Sequence, residues 1–182
     1  MERNRVLFKS NLYAMGKKGI TMFQFFKKKG NAGIVIASPV KGTAISLQQV
    51  KDPTFSECML GKGVAVLPVE GKIYAPADGE ISLVFDTLHA VSMTTEDGVE
   101  ILIHVGLDTV MLKGEGFTAH VATGDRVKKG DLLLTVDLDA LKNAGYDTLT
   151  PMVICNTDDY ADVQPLEVKE VEAGVDVLNI VK

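Results

Sequence analysis

Short apolar segments separated by Gly, Pro and Asp run through the chain after residue 30. Seven of them precede residue 106: GIVIASPV, GTAISL, GVAVLPV, GKIYAPA, GEISLVF, HAVSMTT and VEILIHV. Turn residues recur about every 8–12 residues, which is typical of the strands of a sandwich or barrel. Helical periodicity is scarce: DLDALKNAG predicts one short helix, and MFQFFKKK at 22–29 predicts one or two amphipathic turns. The pattern therefore predicts an all-β fold.

Two pairs of segments resemble each other. SPVKGTAISL is echoed by APADGEISLV 37 residues later, and VKKGDLLLTV by VEAGVDVLNI 44 residues later. In each case a Gly-centred turn leads into an apolar strand. Either the chain reuses common turn chemistry, or it contains a duplicated strand motif that builds two packed sheets.

Residues 84–93, VFDTLHAVSM, and 99–105, VEILIHV, predict two strands of a hairpin that carries two histidines. Side chains of one parity share a face of a strand. If the first segment is a single strand, one of its faces carries Phe85, Thr87, His89, Val91 and Met93.

The length of the connecting loop decides whether His89 and His104 meet. A two-residue turn at Asp97-Gly98, a strong hairpin signal, would set His104 opposite Val91 and diagonal to His89. A four-residue loop at 95–98 would set the histidines directly opposite each other. Both registers place them on one face, within about 5–8 Å between Cβ atoms. A three-residue loop would place them on opposite faces.

A histidine pair beside a hydroxyl group suggests two kinds of chemistry. Thr87 could hydrogen-bond one imidazole and select its tautomer, so that a ring nitrogen offers a lone pair as nucleophile. Alternatively, both rings could bind a metal ion, or the pair could be a chance arrangement on a polar face. Apolar neighbours favour a docking surface over a solvated face; those predicted on the histidine face are Phe85, Val91 and Leu102.

Charge is distributed unevenly along the 182 residues. Residues 1–29 hold eight Lys/Arg and one acid, whereas residues 30–182 hold eleven Lys/Arg and 23 acids. We therefore expect a flexible basic tail over 1–29, and a single acidic domain over 30–182. An acidic body argues against nucleic-acid binding and suits a basic protein partner.

Several features of the chain favour the cytoplasm. Cys58 and Cys155 form no CxxC motif or Cys/His cluster, which fits a reducing compartment. No run of about 18 apolar residues suggests a transmembrane helix, and the start lacks the apolar core of a signal peptide. Met1, Met15 and Met22 are all candidate starts.

The segment GVEILIHVGLDTVMLKGEGF, residues 98–117, closely resembles the active-site signature of the glucose-family enzyme IIA proteins of the bacterial phosphoenolpyruvate-dependent sugar phosphotransferase system. The signature is a Gly, an apolar run, His, apolar, Gly, apolar, any residue, Thr and apolar. The positions that fill it are Gly98, His104, Gly106, Thr109 and Val110. The resemblance extends over about residues 33–182.

The resemblance implies an antiparallel β-sandwich, a barrel-sandwich hybrid, with a duplicated motif. It implies a phosphocarrier that requires no cofactor and is coupled to uptake of glucose or a related sugar. His104 would accept a phosphoryl group from the phosphocarrier protein HPr and pass it to a cysteine on the IIB domain of a permease. His89 would be the second active-site histidine, with Thr87 as its hydrogen-bonding neighbour.

The same resemblance implies a docking surface around the histidines. Asp52 and Asp108 match acidic positions at the rim that meet basic groups of HPr. An apolar patch is matched by Phe55, Met59, Phe85, Leu102 and Val110. Further expectations are regulatory partners, and zinc bound by both histidines when a partner supplies another ligand. Independently of the resemblance, MFQFFKKK has adjacent apolar and basic groups, so it is expected either to contact an anionic membrane surface or to be a loose solvated tail.

Two other functions are alternatives to a phosphocarrier. Zinc endopeptidases of the lysostaphin type share the duplicated β architecture, but catalytic zinc usually needs three protein ligands, and Asp108 would have to be the third here. A biotinyl or lipoyl carrier is suggested by VATGDRVKKGD, although no lysine there has the expected flanking residues.

Overall fold

The computed structural model describes residues 33–182. The predicted basic tail, the segment MFQFFKKK with its proposed membrane contact, and the three candidate starts lie outside the described residues. Within residues 33–182 the strands are β1 Ile34–Ala37, β2 Gly42–Ser46, β3 Lys62–Pro68, β4 Lys72–Tyr74, β5 Gly79–Val84, β6 Ala90–Thr95, β7 Glu100–His104, β8 Phe117–Ala119, β9 Arg126–Val127, β10 Leu132–Val136, β11 Thr150–Ile154, β12 Asp162–Pro165, β13 Glu170–Val171 and β14 Asp176–Val181. The prediction of an all-β fold is confirmed.

Two short α-helices accompany the strands, α1 at Pro53–Ser56 and α2 at Leu138–Asn143. The second confirms the helix predicted for DLDALKNAG, and its N-cap Asp137 accepts a hydrogen bond from Ala140 N. 3₁₀ turns occur at Leu47–Gln49, Thr109–Leu112 and Thr157–Asp159. No helix within the described part of the chain is long and apolar enough to cross a membrane.

The strands form one large and two small antiparallel sheets. The eight-stranded sheet has the order β13-β2-β3-β11-β7-β6-β5-β9, and the three-stranded sheets have the orders β1-β14-β12 and β4-β10-β8. The order of the large sheet is symmetric about its centre, which lies between β11 and β7. On one side the outer strands are β2 and β13, and the corresponding strands on the other side are β5 and β9. β14 and β10 also correspond to each other, since each is the middle strand of a three-stranded sheet.

Matching hydrogen bonds support the duplicated motif. Gly174 N donates to Ser38 O and Gly130 N donates to Ala75 O, both at 2.9 Å, at the start of each repeated segment. Gly42 pairs with Pro68 in one half and Gly79 pairs with Thr95 in the other. These repeated contacts favour duplication over chance reuse of turn residues.

The partners of these two glycines, Pro68 and Thr95, are therefore equivalent positions, and residues at equal distances from them along β3 and β6 are equivalent as well. Five residues back from Pro68, Gly63 pairs with Val153. Five residues back from Thr95, Ala90 pairs with His104. Val153 is therefore the counterpart of His104 in the other half.

Apolar residues form a core on each side of the large sheet. The main core lies between the sheets; its fully buried members include Ile81, Met93, Ile101, Ile103, Leu133, Leu134, Met152 and Ile154. A smaller cluster contains Ala65 and Val153, which have the opposite strand parity and so face the other side. There Leu47, Val50 and Phe55, from the segment that joins β2 to β3, cover them.

Both predicted hairpin registers are wrong. Ala90 pairs with His104, and Thr95 N donates to Val99 O, so the loop between β6 and β7 has three residues, 96–98. Gly98 has φ +83°, and its N–H donates to Thr95 O. This is the three-residue loop in which a left-handed glycine completes the turn.

The prediction of a single strand over 84–93 is also wrong. β5 ends at Val84, β6 begins at Ala90, and the residues between them form a turn. Leu88 N donates to Phe85 O at 2.7 Å, and Leu88 has a left-handed φ of +55°. Val91 lies opposite Ile103 in the main core, not on the histidine face.

We expect Gly79→Ala to lower the free energy of unfolding by about 1–3 kcal/mol, the usual range for overpacking. The added Cβ would overlap Thr94 O and the Thr95 Cα of the neighbouring strand. Urea denaturation measures the effect, and Ser82→Ala, at an exposed position on the same strand, should change it by less than about 0.5 kcal/mol. An unchanged midpoint for Gly79→Ala would contradict the close approach.

Candidate functional site

The two histidines lie together at the end of the β6–β7 hairpin. Their ring centroids are 4.9 Å apart, and the ring planes are inclined at 78°. His104 is the last residue of β7 and shares its parity with Leu102, so both point away from the main core. The contact between the histidines that sequence reasoning predicted is therefore present, although the register that was to produce it is not.

The turn before β6 explains how the histidines meet. His89 precedes the strand, and the left-handed Leu88 interrupts the alternation of side chains that a continuous strand would impose. His89 still joins the ladder through its carbonyl, which accepts from Val105 N at 2.8 Å. Parity could not predict the direction of its ring, because parity holds only within a strand.

The tautomer of His104 is determined by a backbone carbonyl. Its Nδ1 lies 2.7 Å from Gly106 O. A carbonyl oxygen can only accept, so Nδ1 carries the proton and Nε2 keeps its lone pair. His104 therefore presents Nε2 as a nucleophile.

The loop after His104 requires a glycine. Gly106 has φ +75°, and a Cβ there would lie 2.8 Å from Asp147 O and against the Thr109 methyl group. Leu107 N donates to the same Asp147 carbonyl at 2.9 Å. The glycine in the motif thus lets the chain turn tightly and direct its carbonyl to the ring.

Thr87 is hydrogen-bonded to the His89 ring. Its Oγ1 lies 2.6 Å from His89 Nδ1. When the hydroxyl donates, Nε2 of His89 carries the proton and is free to donate a hydrogen bond. Phe85 and Phe55 pack with inclined rings against His89 and His104, at 5.4 and 5.3 Å between centroids.

Burial lowers the pKa of both histidines. For His89, burial is the largest cause, and a charge on His104 lowers the pKa further. For His104, burial lowers the pKa, while the hydrogen bond to Gly106 and the Asp52 and Asp108 carboxylates partly oppose it. Both rings are therefore neutral near pH 7, as a nucleophile and an uncharged donor require.

Asp52 and Asp108 stand at the rim. Asp52 caps α1, accepting from Thr54 N at 2.8 Å, and Asp108 is exposed with a left-handed φ of +59°. Both line a depression of about 750 Å³ that continues to Tyr146 and Asp147. Tyr146 and Asp147 were not among the predicted site residues, because nothing in their local sequence links them to the signature.

The predicted apolar patch is mixed in exposure. Met59 is 70% exposed and Val110 is 44% exposed, whereas Phe85 and Leu102 are half-buried. Phe55 is only 3% exposed, so it supports the His104 ring from the smaller core and offers a partner little area. Met111, 66% exposed beside Val110, belongs with the patch and was missed.

Among the residues that the structure describes, no three His, Cys, Asp or Glu side chains are grouped so that they could hold a metal ion. The two histidines are together, but Asp108 does not complete a three-ligand set with them. Zinc binding with a ligand from a partner stays a prediction.

Residues 34–160 match the family model described as phosphoenolpyruvate-dependent sugar phosphotransferase system, EIIA 1. A glucose-specific EIIA component from Oceanobacillus iheyensis is 46% identical over 148 residues, 81% of this chain and 90% of that protein. A β-glucoside-specific EIIBCA component from Dickeya chrysanthemi is 45% identical over 84% of this chain, which corresponds to only 25% of that longer protein.

A solved structure shares the fold. The glucose permease IIA from Mycoplasma capricolum superposes with a TM-score of 0.76 and 37% identity, covering 84% of this chain and 97% of the other. The predicted antiparallel β architecture is thereby confirmed.

NMR titration should show both site histidines with a pKa below the ordinary value of about 6.5. In His104→Gln the pKa of His89 should rise, because one of its two lowering causes is removed, but burial should keep it below the ordinary value.

The same shifts set a dependence of stability on pH. Unfolded histidines take up protons near pH 6.5 and the folded ones resist, so the free energy of unfolding should fall as pH drops below about 6.5. A titration of His104 or His89 at or above 6.5 in the native protein would contradict this.

Proposed function

Because the chain belongs to the EIIA 1 family of the phosphoenolpyruvate-dependent sugar phosphotransferase system, we propose that it carries a phosphoryl group on His104 for the uptake of glucose or a β-glucoside. The family implies HPr as donor and an EIIB domain as acceptor. The glucose-specific and β-glucoside-specific relatives have nearly equal sequence identity to this chain, 46% and 45%. We therefore assign the choice between these sugars to the permease.

The observation that carries this proposal is the bond from His104 Nδ1–H to Gly106 O beside the His89 ring. In acceptance, the Nε2 lone pair forms a bond to phosphorus while the donor's P–N bond breaks, and that electron pair stays with the donor's nitrogen. Nδ1 keeps its proton throughout. The ring gains positive charge as the bond forms, and the Gly106 carbonyl stabilises that charge.

Delivery reverses the bonding at His104. A cysteine thiolate of EIIB attacks the phosphorus, the P–Nε2 bond breaks, and its electron pair returns to Nε2. His89, held by Thr87, donates Nε2–H to a phosphoryl oxygen during this step. Such a donor helps most where charge shifts between the attacking and leaving groups.

The rim acids support partner binding. Asp52 and Asp108 would repel a phosphate at close range, but at the edge of the site they attract a basic partner and speed association. Around them the exposed Met59, Val110 and Met111 supply the apolar contact area.

We also assign residues 30–182 to the carrier domain and residues 1–29 to a basic tail, of which residues 1–21 are dispensable for transfer. The family match, which begins at residue 34, supports this division. The two free cysteines fit a reducing cytoplasm, and regulatory contacts would use the same acidic and apolar surface. With the family assigned, the hydrolase and the biotinyl or lipoyl carrier are set aside.

His104→Ala should accept no ³²P label from phosphorylated HPr, because the attacking nitrogen is absent. His120→Gln is the matched control, since His120 is exposed and its ring is hydrogen-bonded to Thr135, which lies outside the site. This variant should be labelled as the native protein is. Circular dichroism checks that both variants are folded. Normal labelling of His104→Ala would overturn the assignment.

His89→Gln should still be labelled by HPr but should deliver the group to EIIB at least about tenfold more slowly, a loss of about 1.4 kcal/mol in the barrier. HPr brings its own basic donors, whereas a cysteine acceptor depends more on the ring of His89. Single-turnover transfer from labelled protein to purified EIIB measures delivery. Unimpaired delivery, or equal losses in both half-reactions, would refute this division of roles.

A further inference from the structure

We propose that Thr109 is a positioning residue for phosphoryl transfer: its hydroxyl holds the peptide after His104 so that the Gly106 carbonyl meets the ring nitrogen. The transfer role rests on the function proposed above. Thr109 touches neither histidine by hydrogen bond, so any effect on the reaction passes through the loop.

Two hydrogen bonds anchor Val105, which lies between His104 and Gly106. The Thr109 side chain is fully buried, and its Oγ1 donates to Val105 O at 2.6 Å. On its other side, Val105 N donates to His89 O at 2.8 Å. One residue therefore links the backbone of His89, the loop after His104 and the Thr109 hydroxyl.

The Thr109 methyl group supports the same loop. A Cβ built on Gly106 would lie 2.5 Å from Thr109 Cγ2, so the methyl group sits directly against the glycine. Gly106 itself has the left-handed φ of +75°. The hydroxyl thus holds Val105, whose position sets the direction of the Gly106 carbonyl, while the methyl group only packs against Gly106.

This direction matters because it selects the tautomer. With the carbonyl in place, Nδ1 carries the proton and Nε2 is nucleophilic. If the loop drifts, the bond lengthens and the ring can place its proton on Nε2, where no lone pair remains for phosphorus. The charge that develops on the ring during transfer also loses part of its acceptor.

The simpler alternative is a purely structural role. In that case the hydroxyl only satisfies a buried carbonyl, and its loss only destabilises the fold. Thr95 provides a matched control. It too is buried, its Oγ1 accepts from Val99 N at 3.0 Å, and it lies at the opposite end of the same hairpin.

The experiment compares Thr109→Val, Thr109→Ser and Thr95→Val with the native protein. ¹⁵N chemical shifts of the histidine rings report the His104 tautomer, single-turnover labelling by phosphorylated HPr reports acceptance, and thermal melts check folding. For Thr109→Val we expect a measurable population of the Nε2–H tautomer and about tenfold slower acceptance, with the HPr concentration for half-maximal rate unchanged. Thr109→Ser should retain the native tautomer and a rate within about twofold.

Thr95→Val should melt earlier but keep the native tautomer and rate. The proposal is overturned if Thr109→Val keeps the native tautomer, whatever its rate, or if Thr95→Val shifts the tautomer equally. The tautomer measurement needs no phosphoryl donor. If the native protein accepted no label, the proposed function would fail, while the positioning role of Thr109 would still be tested by the ring shifts.

Discussion

The pairing of β7 with β11 at the centre of the eight-stranded sheet joins the two halves of the molecule. Ile103 pairs with Met152 there, and both side chains are fully buried in the main core. Each half contributes four strands on its own side of this ladder. Because the ladder must stay in register to keep both faces packed, it also fixes where the end of β7, and so His104, emerges.

The site lies where a covered and an open part of the sheet meet. On one side, the segment between β2 and β3 places Phe55 and Leu47 over the outer face of the sheet. On the other, the link between β5 and β6 is a short turn that ends in His89. The His104 ring therefore packs against both Phe55 and His89. Burial favours the neutral form of this ring, although the side chain remains partly exposed.

Much of this fold was predictable from the sequence, because alternation, turn glycines and repeats are local or nearly local signals. The hairpin register was not, since Asp97-Gly98 is compatible with more than one loop, and the three-residue form depends on how Thr95 and Val99 pair. The direction of His89 was also beyond local reasoning. A left-handed Leu88 has no signal in its residue type, because leucine rarely adopts that conformation unless the surrounding structure imposes it.

The equivalence of Val153 and His104 has a consequence for how such a site can arise from a duplicated chain. Duplication supplies two equivalent positions, and here only one of them carries a histidine. Here the longer segment between β2 and β3 covers Val153 with Leu47, Val50 and Phe55, so that position lies in the smaller core. The two equivalent positions therefore have different roles: Val153 contributes to packing, and His104 contributes the imidazole of the candidate site.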